Sequence, residues 1–448
     1  MRNGTKEKEE IRSIRASIES MIINVPPLSS EYSIYRVPER LRNVKEECYT
    51  PVVVSIGPLH HGKEKLQSME YHKARYLYFL LHRQGARPLD DYIERLMSLE
   101  RKARNCYAET ILFTREEFVK MLLLDGCFVV EVICQYNMKN LREEHDQLSK
   151  NPWILNAVHR DMLLLENQIP FFILEKLFMM TDYSAQTEGV ESTFLDFTKK
   201  FLCRYKIVQD NGLVSDNTEG DHMVQLLLRN FTRTIPNEDR SVVNEPVPDL
   251  PVPSEPDLAF IPSATELKKA GITFQPVKSS NLLSATFNVA SGELFIPPLT
   301  VDDRTESFFR NLIALEQSQN FSTDSIQSST KLSDYVTLLD CLINTSADVE
   351  LLRDKGIINN HLGDNEEVAQ LFNKLRNGII TDSRKFYFSK LFLHVNNYYK
   401  KRWHAWKARL RRDYFNTPWA YIAFFSAVLL LSLSVIQTIS SILQVEKI

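Results

Sequence analysis

The residues whose types and spacing best fit a chemical task lie between Gly57 and Glu64. A β-branched run, Pro51-Val52-Val53-Val54-Ser55-Ile56, leads into Gly57, then four residues, then Gly62 and Lys63. This is close to the G-x-x-x-x-G-K-[ST] loop, whose backbone N–H groups cradle phosphates and whose terminal hydroxyl ligates Mg²⁺. Here the last position is Glu64, a carboxylate at the very helix start where the phosphate would sit, and it repels one. Pro58 removes a backbone donor, and His60 and His61 add bulk where close approach is needed. The acidic partner such a loop requires is sought in Met121-Leu122-Leu123-Leu124-Asp125, but that segment carries a helical pattern. Strands do not alternate with helices along the chain, as a nucleotide-binding sheet demands.

Other constellations are weaker still. His60, His61 and His72, with Glu70 nearby, are potential metal ligands. Adjacent histidines rarely face one ion, and neither an H-x-x-x-H spacing nor a cysteine partner is present, so packing of the loop is the better reading. His159-Arg160-Asp161 imitates a kinase catalytic loop, yet Asn167 falls one residue late and both a Gly-rich loop and Asp-Phe-Gly are missing. The six cysteines are scattered without a C-x-x-C pair and read as reduced core thiols. No catalytic, cofactor or metal site is expected, and no enzyme activity.

The elements that would position these residues are mostly helical. Apolar spacing predicts helices over 66–82, 88–107, 114–136, 152–167, 169–180, 191–205 and 220–230. Thr114-Arg115-Glu116-Glu117 is a capping box, and Met162-Leu163-Leu164-Leu165 is apolar all round, hence central to the core. Residues 244–256 alternate proline with other types and form an extended connector. Ser263-Ala264-Thr265-Glu266 is a second capping box, followed by short strands at 272–274, 282–287 and 293–296. Helices resume at 305–315, 332–342, 348–353 and 366–375, and a long basic and aromatic helix is expected over 383–412.

At 448 residues, 44% hydrophobic and formally −3, the chain can bury a large core and offers no global field for nucleic acid. The C-terminal region differs. Residues 414–445 carry no charge, and the run from Trp419 to Leu443, preceded by Pro418, is long enough as a helix (~37 Å) to span a bilayer core of ~30 Å. Basic residues from Lys400 to Arg412 flank it on one side, so the positive-inside rule places the bulk of the chain in the cytosol, as a single-pass, tail-anchored membrane protein. N-glycosylation sequons at Asn3, Asn230, Asn320 and Asn344 point the other way but are short enough to arise by chance. The expected class is mainly α: a large helical domain with a small β element and one C-terminal transmembrane helix. The expected segments are a variable 1–33, a helical domain over 34–412, an anchor over 413–445 and a tail of 446–448.

Several stretches, in order, carry a resemblance. They are Val52-Val53-Val54-Ser55-Ile56-Gly57-Pro58-Leu59-His60-His61-Gly62 with Met69-Glu70-x-x-Lys73, Leu124-Asp125-Gly126-Cys127-Phe128, and Leu165-Glu166-Asn167-Gln168-Ile169-Pro170-Phe171-Phe172. Ile261-Pro262-Ser263-Ala264-Thr265-Glu266-Leu267, Asn311-Leu312-Ile313-Ala314-Leu315-Glu316-Gln317 and Tyr414-Phe415-x-x-Pro418-Trp419 complete the set. Together they resemble the plant family catalogued as domain of unknown function 247, also filed as uncharacterised protein family 0481. Leu59 departs from that family's usual tyrosine. The resemblance implies a C-terminal membrane helix, no established enzymatic activity, and for some grass members a part in self-incompatibility, hence recognition of protein partners. It implies a signature of unknown role at Gly57, His60, His61, Gly62, Glu70, Lys73, Asp125, Glu166, Asn167, Pro170, Glu266 and Glu316. The expected function is protein–protein interaction in recognition or signalling. The competing reading is an undescribed enzyme or nucleotide-binding protein that uses the loop from Gly57 to Lys63.

Overall fold

The computed structural model describes residues 11–19, 32–83, 85–143, 146–181, 183, 193–203, 221–232, 259–277, 281–320, 330–401 and 418–445. Helices dominate, and the chain divides into two compact units: residues 1–230 with 307–323, and 231–306 with 324–448.

The first unit is built from helices α1 (Glu39–Arg42), α2 (Ser68–Leu81), α3 (Leu89–Asn105), α4 (Arg115–Asn137), α5 (Gln147–Lys150), α6 (Pro152–Asp161), α7 (Phe171–Met180), α8 (Phe194–Cys203) and α9 (Met223–Thr232). At its centre lies α4, which packs against α2, α3, α7 and α8. Its sequence explains that place: from Phe118 to Gln135 every residue but Lys120 and Leu124 is buried and most are apolar, with no polar stripe to face water. It starts at the predicted capping box, where Glu117 N–H donates to Thr114 Oγ1 (3.2 Å) and Thr114 N–H to Glu117 Oε2 (2.9 Å). Asp125 is therefore a helical residue, as its pattern indicated.

The second unit opens with α10 (Ala264–Lys269), where Glu266 accepts from the Ser263 N–H at 3.4 Å. Strands β1 (Thr273–Pro276), β2 (Thr286–Asn288) and β3 (Glu293–Ile296) form one sheet in the order β1-β3-β2, parallel then antiparallel. Strand β4 (Leu299–Val301) precedes α11 (Thr305–Asn320), whose residues from Ser307 onward belong to the first unit. After α12 (Lys331–Leu342) and α13 (Ser346–Asp354), β5 (Ile358–Asn360) pairs with β4 in parallel. Helices α14 (Asn365–Leu375), α15 (Ser389–Lys400) and α16 (Pro418–Val445) follow.

Four expectations need correcting. First, a C-terminal transmembrane helix is not supported: among the described residues, no helix is long and apolar enough to cross a membrane. The membrane orientation read from the flanking charges rested on that span. Second, the run Met162–Leu165 is not helical: α6 ends at Asp161, and residues 162–170 form a buried loop. Third, the strand expected at 282–287 divides into a 3₁₀ turn (Leu282–Ser284) and β2, while β4 and β5 were not foreseen. Fourth, the helix expected from 383 begins with a 3₁₀ turn, and α15 covers Ser389–Lys400. Residues 402–417 and the proline-rich connector at 244–256 lie outside the described residues.

Candidate functional site

The segment Val52–Gly57 belongs to no sheet and bends at Val52, Val53 and Gly57, which raises the question of where its N–H groups bond, since buried backbone donors are almost always satisfied. Side chains supply the answer. The carboxylate of Asp161 accepts from three successive residues, Val52 (3.0 Å), Val53 (2.7 Å) and Val54 (3.1 Å). Asn167 Oδ1 accepts from Ile56 N–H (2.7 Å), and Asp125 Oδ2 accepts from Gly57 N–H (2.9 Å). Asn167 Nδ2 returns the bond to the carbonyls of Val54 (3.0 Å) and Asp161 (2.9 Å). The β-branched run is not a strand: its chain bends so that successive donors converge on the one Asp161 carboxylate instead of alternating toward neighbouring strands.

Gly57 is required at the centre of this arrangement. Its φ of +77° lies in the left-handed region, and a Cβ there would come within 2.3 Å of the Gln168 carbonyl oxygen. That carbonyl also accepts from Tyr107 Oη at 3.0 Å. Gln168 in turn donates through Nε2 to the carbonyls of Met162 (2.7 Å), Leu164 (2.8 Å) and Asn167 (3.0 Å). Asn311, on α11, accepts from Leu165 N–H (2.8 Å) and donates to the Cys48 carbonyl (2.9 Å), which Ser307 Oγ also reaches (2.8 Å). Side-chain amides thus satisfy the apolar loop after Asp161, which is why it stays buried without being a helix.

Two buried ion pairs border the network. Lys73 is fully buried; its Nζ lies 2.6 Å from both Asp125 Oδ1 and Glu70 Oε1 and donates to Ser55 Oγ (3.2 Å). Serine beside lysine is the make-up of a nucleophile and its base. Here the lysine donates to the hydroxyl oxygen and to Glu70 while facing the Asp125 carboxylate as an ion pair, so it gives a hydrogen bond to the serine rather than accepting one. Burial raises the Asp125 carboxyl above the usual range against the opposing pull of Lys73 and the Gly57 N–H. Asp161 is shifted upward by burial as well, opposed by its backbone donors.

Glu166 forms the second pair. It accepts from Val37 N–H (2.7 Å) and from Arg42, with Arg36 Nη1 3.8 Å away. His60 Nε2 lies 3.1 Å from its Oε2, though not aligned as a hydrogen bond. Burial opposes ionisation of Glu166, yet His60, Arg42 and the Val37 N–H outweigh it and hold the carboxyl down at about 2.

Of the signature residues, Gly57, His60, Glu70, Lys73, Asp125, Glu166 and Asn167 therefore gather in this buried polar network. Pro170 starts α7 beside it, and Glu316 is buried on α11. His61 is exposed, with its ring edge-on to Phe113 at 5.3 Å, and Gly62 (φ +78°) makes the turn before Lys63. Glu266 caps α10 in the second unit. Among the described residues no group of three or more His, Cys, Asp and Glu side chains is placed to hold a metal ion. Sequence reasoning set Asp161 aside as part of a false kinase motif and gave Arg42 and Ser307 no part. The bonds they make join residues roughly 110 to 260 positions apart, and no local pattern announces them.

Comparison with known proteins agrees with the signature. A family model described as plant protein of unknown function (DUF247) matches residues 34–433. The chain belongs to the DUF247 family. Its similarity to two Arabidopsis thaliana proteins runs almost end to end. It is 30% identical over 421 residues to the UPF0481 protein At3g47200, covering 92% of this chain and 86% of the relative. It is 26% identical over 489 residues to the putative UPF0481 protein At3g02645, covering 91% and 90%. No solved structure matches this chain. In this DUF247 protein Gly57, His60, Glu70, Lys73, Asp125, Glu166 and Asn167 meet in one buried network whose bonds tie the Val52–Gly57 segment, α2, α4 and the 161–168 loop together, while Glu266 lies in the second unit.

Proposed function

We propose that this DUF247 protein acts by binding protein partners in recognition, on a scaffold that the buried network holds rigid, and not by catalysis. The observation that carries the reading is Trp153, which is 88% exposed at the start of α6. Large aromatic side chains are concentrated at interface hot spots, and one left in water calls for a partner. Its neighbour Ile154 and the nearby Val52 (63% exposed) line a common cleft, with Tyr71 (68% exposed) beside the cleft residue His72. Against the competing nucleotide-binding reading stand the N–H groups of Val52, Val53, Val54, Ile56 and Gly57, already bonded to protein side chains. The carboxylates beneath the loop are unfavourable to phosphate.

A photo-crosslinking amino acid placed at Trp153, with Asn140 as the exposed control position, tests the proposal in native extracts. A protein adduct formed at 153 and absent at 140, and lost on Tyr71→Ala, is the expected result. Equal labelling at the two positions would contradict it.

A further inference from the structure

A cleft of about 260 Å³ opens on the first unit between the Val52–Val53 segment, the N-terminal part of α2 and the helices α5 and α6. One side is polar and basic. Lys65, Ser68 and His72 follow one another at spacings of three and four, so they share a face as the 3₁₀ turn Glu64–Leu66 runs into α2. The opposite side is apolar, formed by Val52, Val53 and Ile154, and Met69 contributes from α2. None of the lining residues is an Asp or Glu. His72 Nδ1 is shut off from solvent and has no hydrogen-bond partner among the described residues.

The walls are fixed by the polar ties already described. Asp161 holds the N–H groups of Val52 and Val53. One turn beyond His72, Tyr76 Oη donates to Asp146 at 2.7 Å, and Asp146 caps α5 through the N–H groups of Leu148 and Ser149. The cleft is therefore pre-formed, which lowers the ordering cost of filling it.

We propose that this cleft binds a small organic acid. Its flat or branched apolar body lies against Val53, Met69 and Ile154, and its carboxylate reaches Lys65 and the Nε2 edge of His72, the imidazole nitrogen that is not shut off from the cleft. The volume sits just below the range of drug-sized sites, ~300–1,000 Å³, and so selects a compact ligand. A bare inorganic anion would leave the apolar wall wet, and a neutral hydrocarbon would leave the amine and imidazole unanswered. The proposal goes beyond partner recognition and does not depend on it, because it concerns occupancy of the cleft in the isolated protein.

The test is calorimetric titration of the full chain with 2-naphthoate, its neutral isostere 2-naphthamide, and inorganic phosphate. Saturable one-site binding of naphthoate is expected, with the amide and phosphate each weaker by about tenfold or more. Lys65→Glu and Ile154→Asp, both at exposed positions, should each weaken naphthoate by a similar factor while leaving the melting temperature unchanged. Equal binding of naphthoate and naphthamide would overturn the proposal. So would failure to saturate by about 1 mM, the weak end for a ligand of this size, or indifference to both substitutions, which would place the binding elsewhere.

Discussion

A buried carboxylate survives in a protein only where donors replace the water it has lost: Asp161 draws its donors from three backbone N–H groups and Arg160, while Asp125 and Glu166 each combine one backbone N–H with cationic side chains. This makes each one hard to substitute. Asp161→Asn keeps the shape but loses the charge that three successive N–H groups address, and it turns an amide NH₂ toward some of them. Denaturant unfolding should show a loss of about 2–4 kcal/mol, the range for buried hydrogen bonds to a charged group. Titration behaviour follows from the same environments. The Glu166 carboxyl, ordinarily near 4.5, is held at about 2 in the fold, so its contribution is fully present above 4.5 and is lost as pH falls through about 2. Asp334 is the opposite case. Burial pushes it up to about 6 despite the Tyr387 N–H and Thr330, so the fold binds its proton more tightly than the unfolded chain does. Its contribution is greatest below about 4 and disappears as pH rises through 6. Asp221, also pushed up to about 6 by burial, acts in the same window, so melting temperature measured from pH 7 to pH 2 should gain between 6 and 4 and decline below that, and Asp334→Asn should reduce the first gain without abolishing it.

Among the elements, those specified by neighbouring residues were legible and those specified by distant ones were not. The Thr114–Glu117 box fixes the start of α4 by itself, and Thr114→Ala should cost about 1 kcal/mol in thermal or denaturant unfolding. Helices α2, α3, α4 and α12 fall close to where periodicity placed them because each carries an apolar pattern of helical spacing. The loop after Asp161 was misread because apolar residues alone cannot distinguish a buried helix from a buried loop. What decides is the supply of partners for its backbone, here Gln168, Asn167 and the remote Asn311. The Val52–Val54 run is non-helical, as its β-branched residues suggest, but it bends instead of forming a strand, because its donors converge on Asp161, 107 to 109 positions away. As for the network, the motifs were visible one by one, and their meeting in three dimensions was not. α16 teaches a different limit, since an apolar composition was taken for a span that the described helix does not supply.

At the scale of the whole molecule, the first unit is discontinuous in sequence: residues 1–230 are completed by 307–323, which lie beyond the connector. Asn311 and Ser307 bond to Leu165 and Cys48 within that unit, so an N-terminal piece ending at 230 lacks partners for buried backbone groups. Expressed alone, residues 34–230 should fail to give cooperative unfolding or a dispersed amide spectrum, and co-expression with residues 231–448 should restore both. A fragment 34–230 that folds cooperatively by itself would refute this dependence. The DUF247 signature residues of the first unit form a structural tie, and the Lys73–Asp125 pair is its most buried charged contact. The most direct measurement is a double-mutant cycle on Lys73 and Asp125, 2.6 Å apart and both buried, read by equilibrium unfolding. Lys73→Met alone should cost about 3–5 kcal/mol by stranding a buried carboxylate, and adding Asp125→Asn should recover a large part of it. Single variants that each unfold within about 0.5 kcal/mol of the natural protein, with no coupling between them, would contradict the central claim.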